Sequence, residues 1–154
     1  MSKLHISKKS QMSFEYILLF TFVLLIMIVI GTVLVSSMQK TKEMDSGAKY
    51  LAKQIKSSVI IASLSQTDFE TNITLPLTIA GRKVFVDIYK SPDNIVEIKE
   101  ENVDPDSYNV IAREFLPMID PIGGNLENLS NTIVTIRKQG NNITIVSGNI
   151  PIIS

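Results

Sequence analysis

Residues 8–35 read KKSQMSFEYILLFTFVLLIMIVIGTVLV, in which two lysines and a short polar segment lead into an apolar run. From Tyr16 to Val35 the run contains no charged residue. Twenty residues of α-helix rise about 30 Å, close to the hydrocarbon thickness of a bilayer. Lysines ahead of such a segment are typical of an N-terminus that stays in the cytoplasm. The run therefore predicts a helix that can span a membrane.

Glu15 does not fit a simple membrane anchor, because its carboxylate stands at the entrance of the apolar run. An acidic side chain costs about 2.5–3.5 kcal/mol at the centre of a membrane and less near the interface. We therefore expect this carboxylate to have a partner.

The segment around Glu15 resembles the class III signal peptide of archaeal type IV pilin-like proteins. Members of that family carry a short basic leader, then Gln, then Ser two residues later and Glu four residues later, followed by a long apolar helix. Gln11, Ser13 and Glu15 match this pattern, and Lys8 and Lys9 supply the basic leader. The resemblance covers only the N-terminal part of the 154-residue chain.

The resemblance implies that a prepilin peptidase cleaves between Ser10 and Gln11 and that the apolar helix becomes the core of a filament. Met12 stands where many family members carry glycine, so the match is incomplete. After cleavage, the α-amino group of Gln11 would lie one helical turn from the Glu15 carboxylate. Pairing between them, within or between subunits, would set the register of the filament, because a buried unpaired charge is strongly disfavoured.

The family also implies the partners and the location of the protein. The partners are identical or related pilin subunits in a helical filament, the peptidase, an assembly ATPase and a membrane platform protein. The precursor would be inserted in the membrane, and the mature subunit would form a surface filament for adhesion. An archaellin is disfavoured because the Gln-x-Ser-x-Glu pattern resembles the pilin leader more closely.

Two other interpretations of the N-terminal segment remain open. A conventional signal peptide would use Val35 and Ser37 as small residues and release a soluble binding module that begins at Met38. Against it, the apolar run is longer than the roughly 7–15 residues of a usual signal, and Glu15 interrupts its start. The second alternative is a single-pass membrane protein whose outer β domain binds a partner and never polymerises.

Composition argues against an enzyme and against a nucleic-acid-binding protein. The chain has no cysteine, and its one histidine, His5, lies in the predicted leader. A mature protein without these residues lacks the commonest catalytic and transition-metal groups, so we expect neither catalysis nor a cofactor. Removal of residues 1–10 would change the net charge from zero to −3. The remaining basic residues are scattered and form no patch of the kind that binds phosphates.

The helical pattern continues beyond the apolar run. One apolar stripe at spacings of three and four comprises Met44, Ala48, Leu51, Ile55, Val59 and Ala62. Lysines occupy the other faces. We therefore predict one long helix over residues 14–64, softened at Gly31 and Gly47.

Beyond Leu64 the pattern becomes strand-like. Alternation over Lys83–Lys90 and Asn94–Lys99, and more loosely over Asn72–Ile79, predicts a three-stranded antiparallel meander. Turn-forming residues at 80–82 and 91–94 join these strands.

The C-terminal part predicts further strands. Residues 132–138 and 143–146 form a predicted hairpin around the turn at 139–142, and residues 150–153 suggest a short edge strand. Residues 109–116 fit either a strand or one or two helical turns, and we favour the strand. An irregular connection is marked by Pro117, Pro121, Gly123 and Gly124.

Together these elements predict an α+β fold with a pilin-like layout, in which the amphipathic half of a long helix covers a small antiparallel sheet. The expected organisation is a leader at 1–10, an apolar transmembrane or filament-core helix at 11–36, its amphipathic continuation at 37–64 and an extracellular β domain at 65–154.

Two further groups of residues suggest sites in the β domain. Three N-glycosylation sequons occur, at Asn72, Asn128 and Asn142, each at a predicted strand edge or loop. An acidic cluster could suggest calcium, but its spacing is not that of an EF-hand, and we favour a solvated loop without metal. It comprises Glu97, Glu100, Glu101, Asp104 and Asp106.

Overall fold

A computed structural model describes residues 8–90, 92–101, 107–117 and 124–149, with the backbone alone for residues 8–13 and 149. Several sequence-based predictions concern residues that lie outside the described ones. These residues are 1–7, Asp104, Asp106, 118–123 and 150–153. The predicted leader start and the predicted C-terminal edge strand are therefore among the positions that the structure does not describe.

The chain begins with one unbroken helix, α1, which spans Lys8–Leu64. This confirms the predicted helix over 14–64. The backbone stays helical through both Gly31 and Gly47, so neither glycine interrupts the helix, and the softening stays a prediction. At Gly47 the missing side chain instead makes room for a neighbour: an added Cβ would lie 2.6 Å from Cγ2 of Ile79.

Eight strands follow the helix in the described part of the chain. In chain order they are β1 (Phe69–Thr74), β2 (Thr78–Ile79), β3 (Arg82–Tyr89), β4 (Ile95–Glu101), β5 (Tyr108–Phe115), β6 (Leu126–Leu129), β7 (Thr132–Gln139) and β8 (Asn142–Asn149).

The strands form two antiparallel sheets. The first has the order β1-β7-β8, and the second has the order β2-β3-β4-β5, with β6 also paired to β3. The predicted hairpin of β7 and β8 is confirmed, and its turn contains Gly140 at φ +61°. A positive φ suits the tight turns that join twisted strands, and glycine takes it without steric cost.

The predicted meander is correct for β3 and β4 but not for its first strand. Residues 72–74 belong to β1 and pair with β7, and only Thr78 and Ile79 pair with β3. Leu75 and Pro76 separate the two pieces: the N–H of Leu75 donates to the carbonyl of Thr132, and Pro76 has no N–H to continue a ladder.

Residues 108–115 form the strand β5, as we favoured, with an irregularity. Ala112 is opposite Ile98 and Val110 is opposite Lys99, so Ile111 is an extra residue in a bulge. The irregular connection predicted before residue 132 contains a strand that the sequence did not suggest, β6.

One core lies between the helix and the two sheets. The predicted stripe is buried in full, together with Ala52. The sheets contribute β-branched side chains that point inward at every second position, among them Val84, Val86, Ile88, Val96, Ile98, Val134, Ile136 and Ile145. The fold is therefore α+β: one long N-terminal helix contacts two small antiparallel sheets.

Candidate assembly and modification sites

The predicted processing motif lies at the start of α1. The backbone is helical from Lys8 onward, so the peptide bond between Ser10 and Gln11 belongs to the first turn. In a helix, residues four apart lie on the same side, which places Gln11 and Glu15 together as predicted from their spacing. The side chains of residues 8–13, including those of Lys9 and Ser13, are not described.

Glu15 is the first described acidic residue of the helix, and its side chain is exposed. None of the described residues forms an ion pair or a hydrogen bond with it. The partner that we expect for this carboxylate is therefore not provided by residues 14–90, 92–101, 107–117 or 124–149.

The apolar part of α1 presents its side chains on every face. All positions from Phe14 to Glu43 are exposed, and the helix is long and apolar enough to cross a membrane. Thr21 and Thr32 donate their hydroxyls to the carbonyls of Ile17 and Val29, each at 2.8 Å. With these bonds formed within the helix, both hydroxyls tolerate apolar surroundings. The segment is suited to membrane insertion, or to secretion as a signal.

The amphipathic part of α1 is joined to β5 by a charged contact. The Lys56 ammonium lies 2.7 Å from the Glu114 carboxylate, although the two residues are 58 positions apart. The hydrogen bond from Lys56 lowers the pKa of Glu114, partial desolvation opposes this shift, and the positive charges of Lys56 and Lys53 add to it. The contact ties the helix to one edge of the second sheet.

A network of charges lies on the other face of the second sheet, away from the helix. Asp87 and Glu97 are both buried and stand opposite each other on β3 and β4. The Lys99 ammonium pairs with Asp87 and lies 3.8 Å from Glu97, and Arg113 on β5 pairs with Glu97. The two buried carboxylates are thus each paired with a cation, as buried charges must be, and the cations reach them from half-buried and exposed positions.

Tyr89 completes this network. Its hydroxyl lies 3.1 Å from Asp87 and 3.3 Å from the Lys99 ammonium. Burial raises the pKa of Tyr89, and Asp87 adds to the shift while Lys99 opposes it. Burial alone would lower the pKa of Lys99, but hydrogen bonds to Asp87 and Tyr89 outweigh it and raise the pKa. The ammonium therefore stays charged over the whole physiological range.

The same network holds β6 in place. The backbone N–H of Asn128 donates to Asp87 Oδ1 at 2.7 Å, and the backbone N–H of Lys90 donates to Asn125 Oδ1 at 3.0 Å. Asn128 adopts φ +56°, a left-handed conformation that asparagine tolerates better than most residues. The sequence does not single out these residues, because an aspartate that alternates with core residues, as Asp87 does, equally fits an outward, solvated position.

The acidic cluster does not form a solvated loop over its described part. Glu97, Glu100 and Glu101 lie on β4, and the latter two pair with Arg82 and Lys83 on β3, at 2.6 and 3.1 Å. The described residues contain no group of three or more side chains that could hold a metal ion.

The three sequons fall in different settings. Asn72 lies on β1 and Asn142 starts β8, which are the two edge strands of the first sheet. Asn128 lies on β6, and the hydroxyl of its sequon serine, Ser130, is buried without a hydrogen bond to any described residue. All three asparagine side chains are exposed.

Comparison with known proteins gave no match: no protein-family model, no curated protein and no solved structure is significantly similar to the chain. The architecture, a long apolar N-terminal helix followed by antiparallel sheets, is pilin-like.

Proposed function

We propose that this protein is a structural subunit of an archaeal type IV pilus-like surface filament, polymerised through α1 for adhesion. The observation that carries the proposal is that one unbroken helix has two parts with different surfaces. Its first part exposes apolar side chains on all faces, and its second part buries a stripe in the core of the β domain. Lipid and then neighbouring helices would each cover such an all-apolar surface.

The N-terminal motif supports the same function. Gln11, Ser13 and Glu15 match the class III signal peptide, and Glu15 has no partner among the described residues. In a filament the α-amino group of a processed Gln11 would supply that partner, from the same subunit or from its neighbour. Packing of the apolar faces, together with this pair, would then determine the stability of the filament.

The proposal includes the partners and excludes catalysis. Processing requires a prepilin peptidase, and polymerisation requires an assembly ATPase and a membrane platform protein. We propose that the protein is not an enzyme and uses no cofactor, because the predicted mature chain contains neither histidine nor cysteine.

A second candidate is a membrane-anchored β domain that does not polymerise. It is favoured by the exposed apolar helix alone, since any single-pass anchor presents such a surface to lipid. It leaves Glu15 without a role.

The mature N-terminus distinguishes these functions. Mass spectrometry of protein from the native membrane and surface fractions is expected to show a chain that begins at Gln11, free or cyclised, and electron microscopy is expected to show filaments that contain it. A chain that begins at Met1 or Ser2 would indicate the simple anchor. A chain that begins at Met38 would indicate a secreted module, and either result would overturn the proposal.

A further inference from the structure

Two of the three sequons share one face of the first sheet. Along β1, Ile73 is buried while Asn72 and Thr74 are exposed. Along β8, Ile143 is buried while Asn142 is exposed and Thr144 is half-buried. Because side chains alternate between the faces of a strand, each tripeptide sends its apolar middle residue into the core.

The register shows that the asparagine and threonine of both sequons lie on the same face of the sheet, away from the core. Asn72 stands opposite Thr135 on β7, and Thr135 stands opposite Val146 on β8. Thr144 is two residues from Val146 and therefore shares its face. The outer face of the β1-β7-β8 sheet, which we call the sequon face, thus carries an acceptor asparagine on each edge strand.

The acceptor amide of Asn72 is oriented by its neighbour. Thr135 Oγ1 donates to Asn72 Oδ1 at 2.7 Å. The side-chain oxygen is therefore hydrogen-bonded, and the amide nitrogen Nδ2 is available to bond to a glycan. Asn142 follows directly on the hairpin turn and is exposed, so its amide is equally accessible.

Asn128 is in a different situation although its side chain is exposed. Its backbone N–H is held by the buried carboxylate of Asp87, and its φ of +56° is far from an extended conformation. The hydroxyl of Ser130, which completes the sequon, is buried. The folded domain therefore withholds part of this sequon from any enzyme that must bind all of it.

We infer that Asn72 and Asn142 are N-glycosylated on the sequon face and that Asn128 is not. The inference rests on one element of the proposed function, that the β domain faces outward from the membrane. The donor would be a glycan carried on a polyprenyl phosphate or diphosphate. The Nδ2 atom forms a bond to the anomeric carbon, the bond from that carbon to the phosphate oxygen breaks, the lipid phosphate leaves with the electron pair, and Nδ2 loses one proton.

Two glycans on one face have a consequence for assembly. They would hold a layer of bound water and sugar over β1, β7 and β8, so this face cannot pack closely against a neighbouring subunit. Subunit contacts of the β domain would then use the remaining surfaces, which include the exposed edge of β5 with Val110 and Phe115.

The test is intact-mass and glycopeptide mass spectrometry of the full-length protein from the native surface fraction. Asn72→Gln and Asn142→Gln are each expected to remove the mass of one glycan, and Asn128→Gln is expected to leave the glycan mass unchanged. Thr74→Ala, which keeps the acceptor of the first sequon, should remove the same glycan as Asn72→Gln. A glycan on Asn128, or its absence from Asn72 or Asn142, would overturn the inference.

This result is separable from the proposed function. A chain that starts at Met1 yet carries glycans on Asn72 and Asn142 would contradict the filament function and support the inference. Filaments of chains that start at Gln11 but carry no glycan would support the filament function and contradict the inference.

Discussion

The buried carboxylate of Asp87 on β3 accepts a hydrogen bond from the backbone N–H of Asn128, at 2.7 Å and across 41 residues of sequence. The same carboxylate pairs with Lys99. The Asp87 side chain therefore pairs with a half-buried cation and fixes the position of β6, whose four residues pair with β3 at only two positions, Val86 and Ile88.

We expect Asp87→Ala to be among the most destabilising substitutions in the β domain. It leaves the backbone N–H of Asn128 without its acceptor and, among the described residues, leaves the Lys99 ammonium with only the Tyr89 hydroxyl at 3.3 Å and Glu97 at 3.8 Å. Complete loss of the partner of a buried charge costs about 3–5 kcal/mol, so we expect a cost of up to that size. Chemical denaturation of the detergent-solubilised chain measures the change.

The matched control is Glu70→Ala, which removes the exposed ion pair with Arg137 at 2.8 Å and should cost about 1 kcal/mol or less. Equal effects of the two substitutions would contradict this role of Asp87.

Gly47→Ala should destabilise the protein although alanine favours helices. An added Cβ would approach Ile79 Cγ2 to 2.6 Å, and overpacking of this kind costs about 1–3 kcal/mol, against a gain in helix propensity of about 1 kcal/mol. Thermal unfolding is expected to show a lower midpoint. Gly31→Ala is the control, because an added Cβ there has no neighbour within 4 Å.

A double substitution tests the cause of the Gly47 effect. Ile79→Ala removes the atom that the new Cβ would meet, so Gly47→Ala should be less harmful in that background than in the natural chain. An unchanged effect would show that the close approach of Gly47 and Ile79 is not the reason.

The contact between Lys56 and Glu114 predicts a loss of stability in acid. The pKa of Glu114 is lowered from its ordinary value of 4.5, so the contribution is fully present above pH 4.5 and is lost as the pH falls through the lower value of the folded state. Glu114→Gln should lower the denaturation midpoint at pH 7 and have a smaller effect at pH 3. Glu127→Gln, an exposed residue on β6, is the control and should have little effect at either pH. A deficit of Glu114→Gln that is as large at pH 3 as at pH 7 would count against the ion pair.

Glu15→Gln separates assembly from membrane insertion. The neutral amide keeps the size of the side chain and makes insertion easier, since an acidic residue costs up to about 3 kcal/mol in a membrane. If Glu15 pairs with an α-amino group in the filament, the variant should reach the membrane as the natural protein does but give far fewer filaments in electron microscopy. Glu43→Gln, an exposed position of the same helix, should assemble normally. Normal assembly of Glu15→Gln would refute the pairing.

The elements that the sequence predicts are those whose signal is local. The stripe from Met44 to Ala62 repeats every three or four residues, so its burial follows from helical geometry alone. The strands β3, β4, β7 and β8 alternate and are joined by turn residues, so each hairpin is visible within a short window.

The elements that the sequence does not predict are set by distant partners. Residues 69–74 join β7 because of pairings between residues far apart in sequence, such as Asn72 with Thr135, which are 63 positions apart. The strand β6 has no alternating pattern, and it is placed by hydrogen bonds to Asp87 and Lys90 that no local pattern contains. At the candidate assembly site, the sequence alone shows the four-residue spacing of Gln11 and Glu15. At the sequon of Asn128, by contrast, only the folded structure shows that the Ser130 hydroxyl is buried.

The alternation within the tripeptides 72–74 and 142–144 also bears on how this surface can change over evolutionary time. The middle isoleucines are committed to the core, while the flanking asparagine and threonine of each tripeptide lie on the outer face. Substitutions at the flanking positions can add or remove a surface feature with little effect on folding, since exposed positions usually tolerate change. The outward-facing residues of the β1-β7-β8 sheet, and any glycans attached to them, can therefore change while the residues that face the core stay the same.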